Sequence, residues 1–98
     1  MSRLRIKGIW FFKQLNHFMK KENWKEENNS LCKKFTFNNF SEAFAFMCRV
    51  ALAAEKINHH PNWSNVYNIV EIKLSTHDAN NTVTELDRKL ALIIDQLL

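Results

Sequence analysis

Leu31-Cys-Lys-Lys-Phe-Thr-Phe37 gives way, across Asn38-Asn39, to Phe40-Ser-Glu-Ala-Phe-Ala-Phe-Met-Cys-Arg-Val-Ala-Leu-Ala-Ala-Glu-Lys-Ile57. In the first piece Leu31, Lys33, Phe35 and Phe37 share one parity and Cys32, Lys34 and Thr36 the other. A period of two predicts a strand with one face open to water. In the second piece Phe44, Met47, Ala51 and Ala54, together with Phe46, Val50, Ala53 and Ile57, recur at helical spacing. They predict a helix over 41–57 with a broad apolar stripe, opened by Asn39 or Ser41 as its N-cap. A strand feeding a long helix, with further strand patterns on both sides, predicts an α+β fold. We expect two layers, a four-stranded antiparallel sheet with helices packed on one face.

Working outward, Trp24–Glu27 stands before Asn28-Asn29 as a hairpin partner for the 31–37 strand. Downstream, residues 63–76 return to period two through Val66, Val70, Ile72 and Leu74, with Tyr67-Asn68 as a turn. Thr84-Glu85-Leu86-Asp87 reads as a capping box with Asp in place of Glu, and leads into Leu86, Leu90, Ile93, Ile94 and Leu97. Upstream, Ile6, Ile9, Phe12, Leu15, Phe18 and Met19 predict a first helix over 6–20. The turns rest on asparagine. The chain has one glycine and one proline, and the pairs Asn28-Asn29, Asn38-Asn39 and Asn80-Asn81 sit between patterned segments. Asparagine tolerates the left-handed backbone that turns require.

That glycine count excludes functions. With Gly8 alone, no G-x-G-x-x-G turn and no Walker loop can bring backbone N–H groups against phosphate. The 98 residues, 46% hydrophobic with eight Phe and three Trp, suit one compact domain over 1–98. No apolar run comes near the ~20 residues that cross a bilayer, so no membrane association is expected. Cys32 and Cys48 lack C-x-x-C spacing and read as buried free thiols of a cytoplasmic protein. Residues 1–34 carry nine Lys/Arg against three acids, whereas 35–98 carry five against seven. The basic third contains no named nucleic-acid motif, so a solvated basic helix is expected over 1–23 in preference to a nucleic-acid partner or a presequence.

Three of the four histidines fall in two short segments, Glu55-Lys-Ile-Asn-His59-His60-Pro61-Asn-Trp63 and Ser75-Thr76-His77-Asp78. Pro61 must end the central helix at or before His60, and Ser75–Asp78 ends the last strand pattern. Imidazoles at element ends suit acid–base work near neutrality. The plain alternatives are a histidine pair at the negative end of a helix and an i, i+4 pair between Glu55 and His59. Adjacent imidazoles do not share a helix face, so a His₃ zinc site is not expected. His17 reads as structural.

The pattern Glu55-x3-His59-His60-Pro61-x5-Tyr67-x9-His77-x9-Asp87, flanked by Trp24, Phe35–Met47 and Val50–Glu55, resembles the signature of the pterin-4a-carbinolamine dehydratases over residues 24–96. The resemblance implies dehydration of 4a-hydroxytetrahydropterin to quinonoid dihydropterin without metal or cofactor. It implies a catalytic set of His59, His60 and His77, and pterin contacts from Asn58, Ser75, Thr76 and Asp78. Glu55 would orient a histidine, Trp63 would wall the pocket, and Asp87 suits capping better than catalysis. It also implies a homodimer or homotetramer, an edge strand at 31–37 or 63–76, and a pterin-dependent hydroxylase as pathway partner. Animal members add a non-catalytic role as dimerisation cofactor of a transcription regulator. Residues 1–23 depart from the family's acidic first helix, and Asn80-Asn81-Thr82 replaces its glycine-bearing loop.

Overall fold

A computed structural model describes residues 23–98, and the helix expected over 6–20 lies outside the described residues. The elements run β1 (Lys25–Glu27), β2 (Ser30–Thr36), α1 (Phe40–Lys56), β3 (Asn62–Val66), β4 (Ile69–Leu74), a single 3-10 turn (His77–Ala79) and α2 (Glu85–Asp95). The strands form one antiparallel sheet in the order β1-β2-β4-β3. This is the α+β fold expected from the sequence.

The register explains the layers. Leu31 pairs with Leu74, Lys33 with Ile72 and Phe35 with Val70, so one parity of two adjacent strands makes a single apolar face. All six of these side chains are buried, while Lys34, Thr36, Glu71 and Lys73 on the opposite parity are exposed. Onto the apolar face α1 lays Ala43, Phe46, Val50 and Ala54, and α2 lays Leu90, Ala91 and Ile94. Phe46 sits at the centre, its ring 4.8 Å from Phe35 and 5.0 Å from Phe37. A fully buried Phe contributes about 1.5–3 kcal/mol relative to exposure.

Lys33 is the exception on that face. Its Nζ lies 2.8 Å from Asp95 Oδ1 and 5.1 Å from the Phe35 ring centroid. Asp95 also accepts from Trp24 Nε1 at 3.1–3.2 Å. A carboxylate near the end of α2 therefore fastens that helix to both β2 and the residue preceding β1.

Asparagine fills glycine's usual role. Among the described residues six non-glycine positions have positive φ: Asn28, Asn29, Asn58, Asn80, Asn81 and Tyr67. The Asn38-Asn39 pair differs. Asn39 has an extended φ of −159° and its side chain accepts from Glu42 N–H at 2.9 Å, so it caps α1 rather than turning left-handed.

One open choice is decided and two further expectations are corrected. Of the two stretches expected to supply a sheet edge, 31–37 does not, because β1 and β4 pair with it on both sides, whereas β3, at the start of 63–76, ends the sheet. The broad stripe on α1 is only half used. Phe44 and Ala51 are exposed because the sheet takes the face centred on Phe46 and Val50. Neither thiol is buried. Cys48 projects from the uncovered side of α1, and Cys32, on the opposite parity of β2 from Leu31 and Lys33, is half-buried.

Candidate active site

The exit of α1 builds the first half of the site. Ile57 caps the helix, Asn58 turns left-handed at φ 52°, and two backbone bonds close the end. Asn58 N–H donates to Glu55 O at 3.1 Å and His59 N–H to Ala54 O at 3.0 Å. This is a Schellman motif with asparagine in the position that glycine usually takes. It reverses the chain sharply and sends consecutive histidines apart. His59 is buried, whereas His60 is exposed.

Each histidine finds a carboxylate. His59 Nε2–H donates to Asp87 Oδ1 at 2.6 Å, and His60 Nε2–H to Glu55 Oε1 at 2.8 Å on the surface. Glu55 therefore pairs with His60, five residues on, rather than with His59 at i, i+4. Pro61, half-buried, leads into β3, where Trp63 packs partly buried against the core.

The exit of β4 builds the second half. Thr76 N–H donates to Thr82 O at 2.8 Å, while Thr76 O accepts from Ala79 N–H and Asn81 N–H. Asn80 and Asn81, both left-handed, close this small loop. His77 and Asp78 are exposed on it, with His77 Nδ1 and Asp78 Oδ1 3.5 Å apart, and Ser75 is half-buried.

Asp87 joins the halves. Its Oδ2 accepts from Thr76 Oγ1–H at 2.7 Å and from Thr84 N–H at 2.8 Å, while Oδ1 takes His59. The bond to Thr84 N–H completes the capping box of α2, as its spacing predicted. The carboxylate is fully buried, and burial by itself pushes its pKa upward. The hydrogen bonds from His59, Thr84 and Thr76, together with the charge of His59, outweigh burial and hold Asp87 below the ordinary carboxylate value.

The structure thus brings His59 and Thr76 together through Asp87, and His60 together with Glu55. Among the described residues no hydrogen bond links any of the three histidines to another. The chain's Asp87 was legible as a cap. Its second oxygen, which reaches a histidine 28 residues earlier, has no signature in local spacing. Among the described residues no group of three or more His, Cys, Asp or Glu is placed to hold a metal ion.

Comparison with known proteins shows the family of the chain. The family model for pterin 4 alpha carbinolamine dehydratase matches residues 12–97. The chain belongs to that family. It is 61% identical over 71 residues to a Sinorhizobium fredii protein provisionally named pterin-4-alpha-carbinolamine dehydratase, spanning 72% of this chain and 67% of the relative. Among solved structures, it is similar to a transcriptional coactivator/pterin dehydratase from Brucella melitensis, with 39% identity and a TM-score of 0.73 over 87% of this chain and 93% of that one. It is also similar to a pterin dehydratase-like protein identified as a RuBisCO assembly factor in the alpha-carboxysome. There the identity is 26% and the TM-score 0.68, over 79% of this chain and 90% of the other. Solved structures similar to this chain are thus described by roles other than dehydration as well. Among the described residues no helix is long and apolar enough to cross a membrane.

Proposed function

We propose that this chain dehydrates 4a-hydroxytetrahydropterin to quinonoid dihydropterin and water. One observation carries the reading. Asp87 ties the His59-His60 corner to Thr76, the residue before His77, so two separate chain segments present imidazoles from one buried anchor. The reaction breaks the C4a–O bond. The hydroxyl takes a proton and leaves as water, N5 gives up a proton, and the N5=C4a double bond forms. No electron changes hands, and side chains that donate and accept protons near neutrality suffice.

In this reading His60 or His77, both exposed, delivers the proton to the 4a-oxygen. The remaining histidines position the ring and accept the N5 proton. Asn58, Ser75, Thr76 and Asp78 contact the pterin, Glu55 orients His60, and Trp63 walls the pocket. A pterin-dependent hydroxylase would supply the substrate. Free Cys32 and Cys48 suit a reducing cytoplasm. The test is decay of synthetic 4a-hydroxytetrahydropterin with and without protein in the presence of EDTA, with acceleration as the expected result.

A second reading, a non-catalytic protein-binding role, has its own support. Phe40 and Phe44 stack at 5.8 Å while 48% and 53% exposed, and Leu52 is 74% exposed on the same helix. Such side chains suit a protein contact, including the homodimer or homotetramer that the family resemblance implies. Light scattering of the purified chain, with Phe44→Ser as the variant, tests that contact.

A further inference from the structure

The hydrogen bonds around Asp87 have a direction that can be followed from end to end. Leu86 N–H donates to Thr84 Oγ1 at 3.3 Å. Thr76 Oγ1–H is committed to Asp87 Oδ2, so Thr84, 2.6 Å away, supplies the proton of the Thr84–Thr76 hydroxyl pair. Oδ2 then accepts from both Thr76 O–H and Thr84 N–H, which uses its two lone-pair directions. Oδ1 is left as an acceptor facing His59 Nε2 at 2.6 Å. An ionised carboxylate can only accept, so Nε2 must carry the proton.

We propose that Thr76 is a positioning residue, whose hydroxyl holds Asp87 so that the His59 ring keeps a proton on Nε2 and, whenever it carries a single proton, is the Nε2–H tautomer. Resting on the dehydratase reading, Thr76 then acts on the reaction through the tautomer and orientation of His59, whereas His60, whose Nε2–H is held by Glu55, lies outside this network. This role differs from the pterin contact expected of Thr76. Its hydroxyl is already occupied by Asp87 and Thr84, whereas its backbone closes the loop that carries His77. Ser75 and Asp78 have no such hydrogen bond to Asp87 among the described residues.

The tautomer is readable without any turnover. In protein carrying ¹⁵N-histidine, two-bond ¹H–¹⁵N correlations distinguish Nε2–H from Nδ1–H rings. The native chain should show His59 as the Nε2–H form. Thr76→Val, close to isosteric but lacking the hydroxyl, should show a mixed tautomer with the amide spectrum otherwise preserved, and Thr76→Ser should restore the single form. A wrong tautomer at a catalytic histidine costs up to about 10⁴-fold in kcat. A mixed one should lower kcat by roughly tenfold with KM little changed. An Nδ1–H His59 in the native chain, or an unchanged tautomer in Thr76→Val, overturns the proposal. The native measurement needs no variant, so a misfolded Thr76→Val leaves it decidable. If the tautomers behave as expected and the native chain accelerates no dehydration, the positioning role stands and the dehydratase reading falls.

Discussion

His59 Nε2 lies 2.6 Å from Asp87 Oδ1, and both side chains are buried although 28 residues separate them in the chain. The contact links the corner after α1 to the first turn of α2, so one carboxylate serves both the fold and the candidate site. Removing it should therefore have two separable consequences.

The first is on stability. Asp87→Ala strips His59, Thr76 and Thr84 N–H of their common acceptor and dismantles the capping box. Breaking a buried pair by deleting one partner costs about 3–5 kcal/mol. Urea denaturation should show a loss of that order, with Asp87→Asn milder because the side-chain shape survives.

The second concerns acid. Asp87 is held below its ordinary value of 3.8 in the folded chain, so the folded state binds this proton less readily than the unfolded state does. Its contribution is fully present above the unfolded value and is lost as pH falls through the folded one. Stability of the native chain should thus decline from about pH 5 downward. In Asp87→Asn the decline should be shallower over the same window. Equal slopes in urea titrations between pH 6 and pH 2.5 would argue against the assignment.

Asn58 offers a backbone test. It occupies the left-handed position of the Schellman turn at φ 52°, where a β-carbon is tolerated but costs more than glycine. Asn58→Gly should retain stability within about 0.5 kcal/mol, while Asn58→Val should lose about 1–2 kcal/mol. Thermal unfolding of the two variants measures the difference directly.

His60 and His77 are exposed and should matter little to folding. Alanine at either position should change stability by no more than about 0.5 kcal/mol. Each should nevertheless slow dehydration by roughly 10²-fold or more if it transfers a proton. Full activity in both variants would remove them from the mechanism.

Much of the architecture could be read along the chain because its determinants are local. Leu31–Phe37 alternates, the Asn28-Asn29 pair takes the left-handed backbone of its turn, and Thr84 to Asp87 spells a cap. What stayed hidden depends on contacts between distant residues. Lys33 shares a parity with Leu31 and Phe35, but nothing near it announces Asp95, 62 residues away, as the partner that allows its burial. The stripe on α1 could be counted, yet its angular extent does not say which half meets the sheet. In the candidate site, the histidines and their element ends were legible. The divergence of His59 inward and His60 outward was not, because it arises from one left-handed residue at Asn58.

The central claim is catalytic, and it is tested most directly by adding the purified chain, in EDTA, to freshly generated 4a-hydroxytetrahydropterin and following formation of quinonoid dihydropterin. The account predicts acceleration that survives chelation and falls by roughly 10²-fold or more in His60→Ala or His77→Ala. No acceleration over the uncatalysed reaction by a folded native chain would contradict it and favour the protein-binding reading.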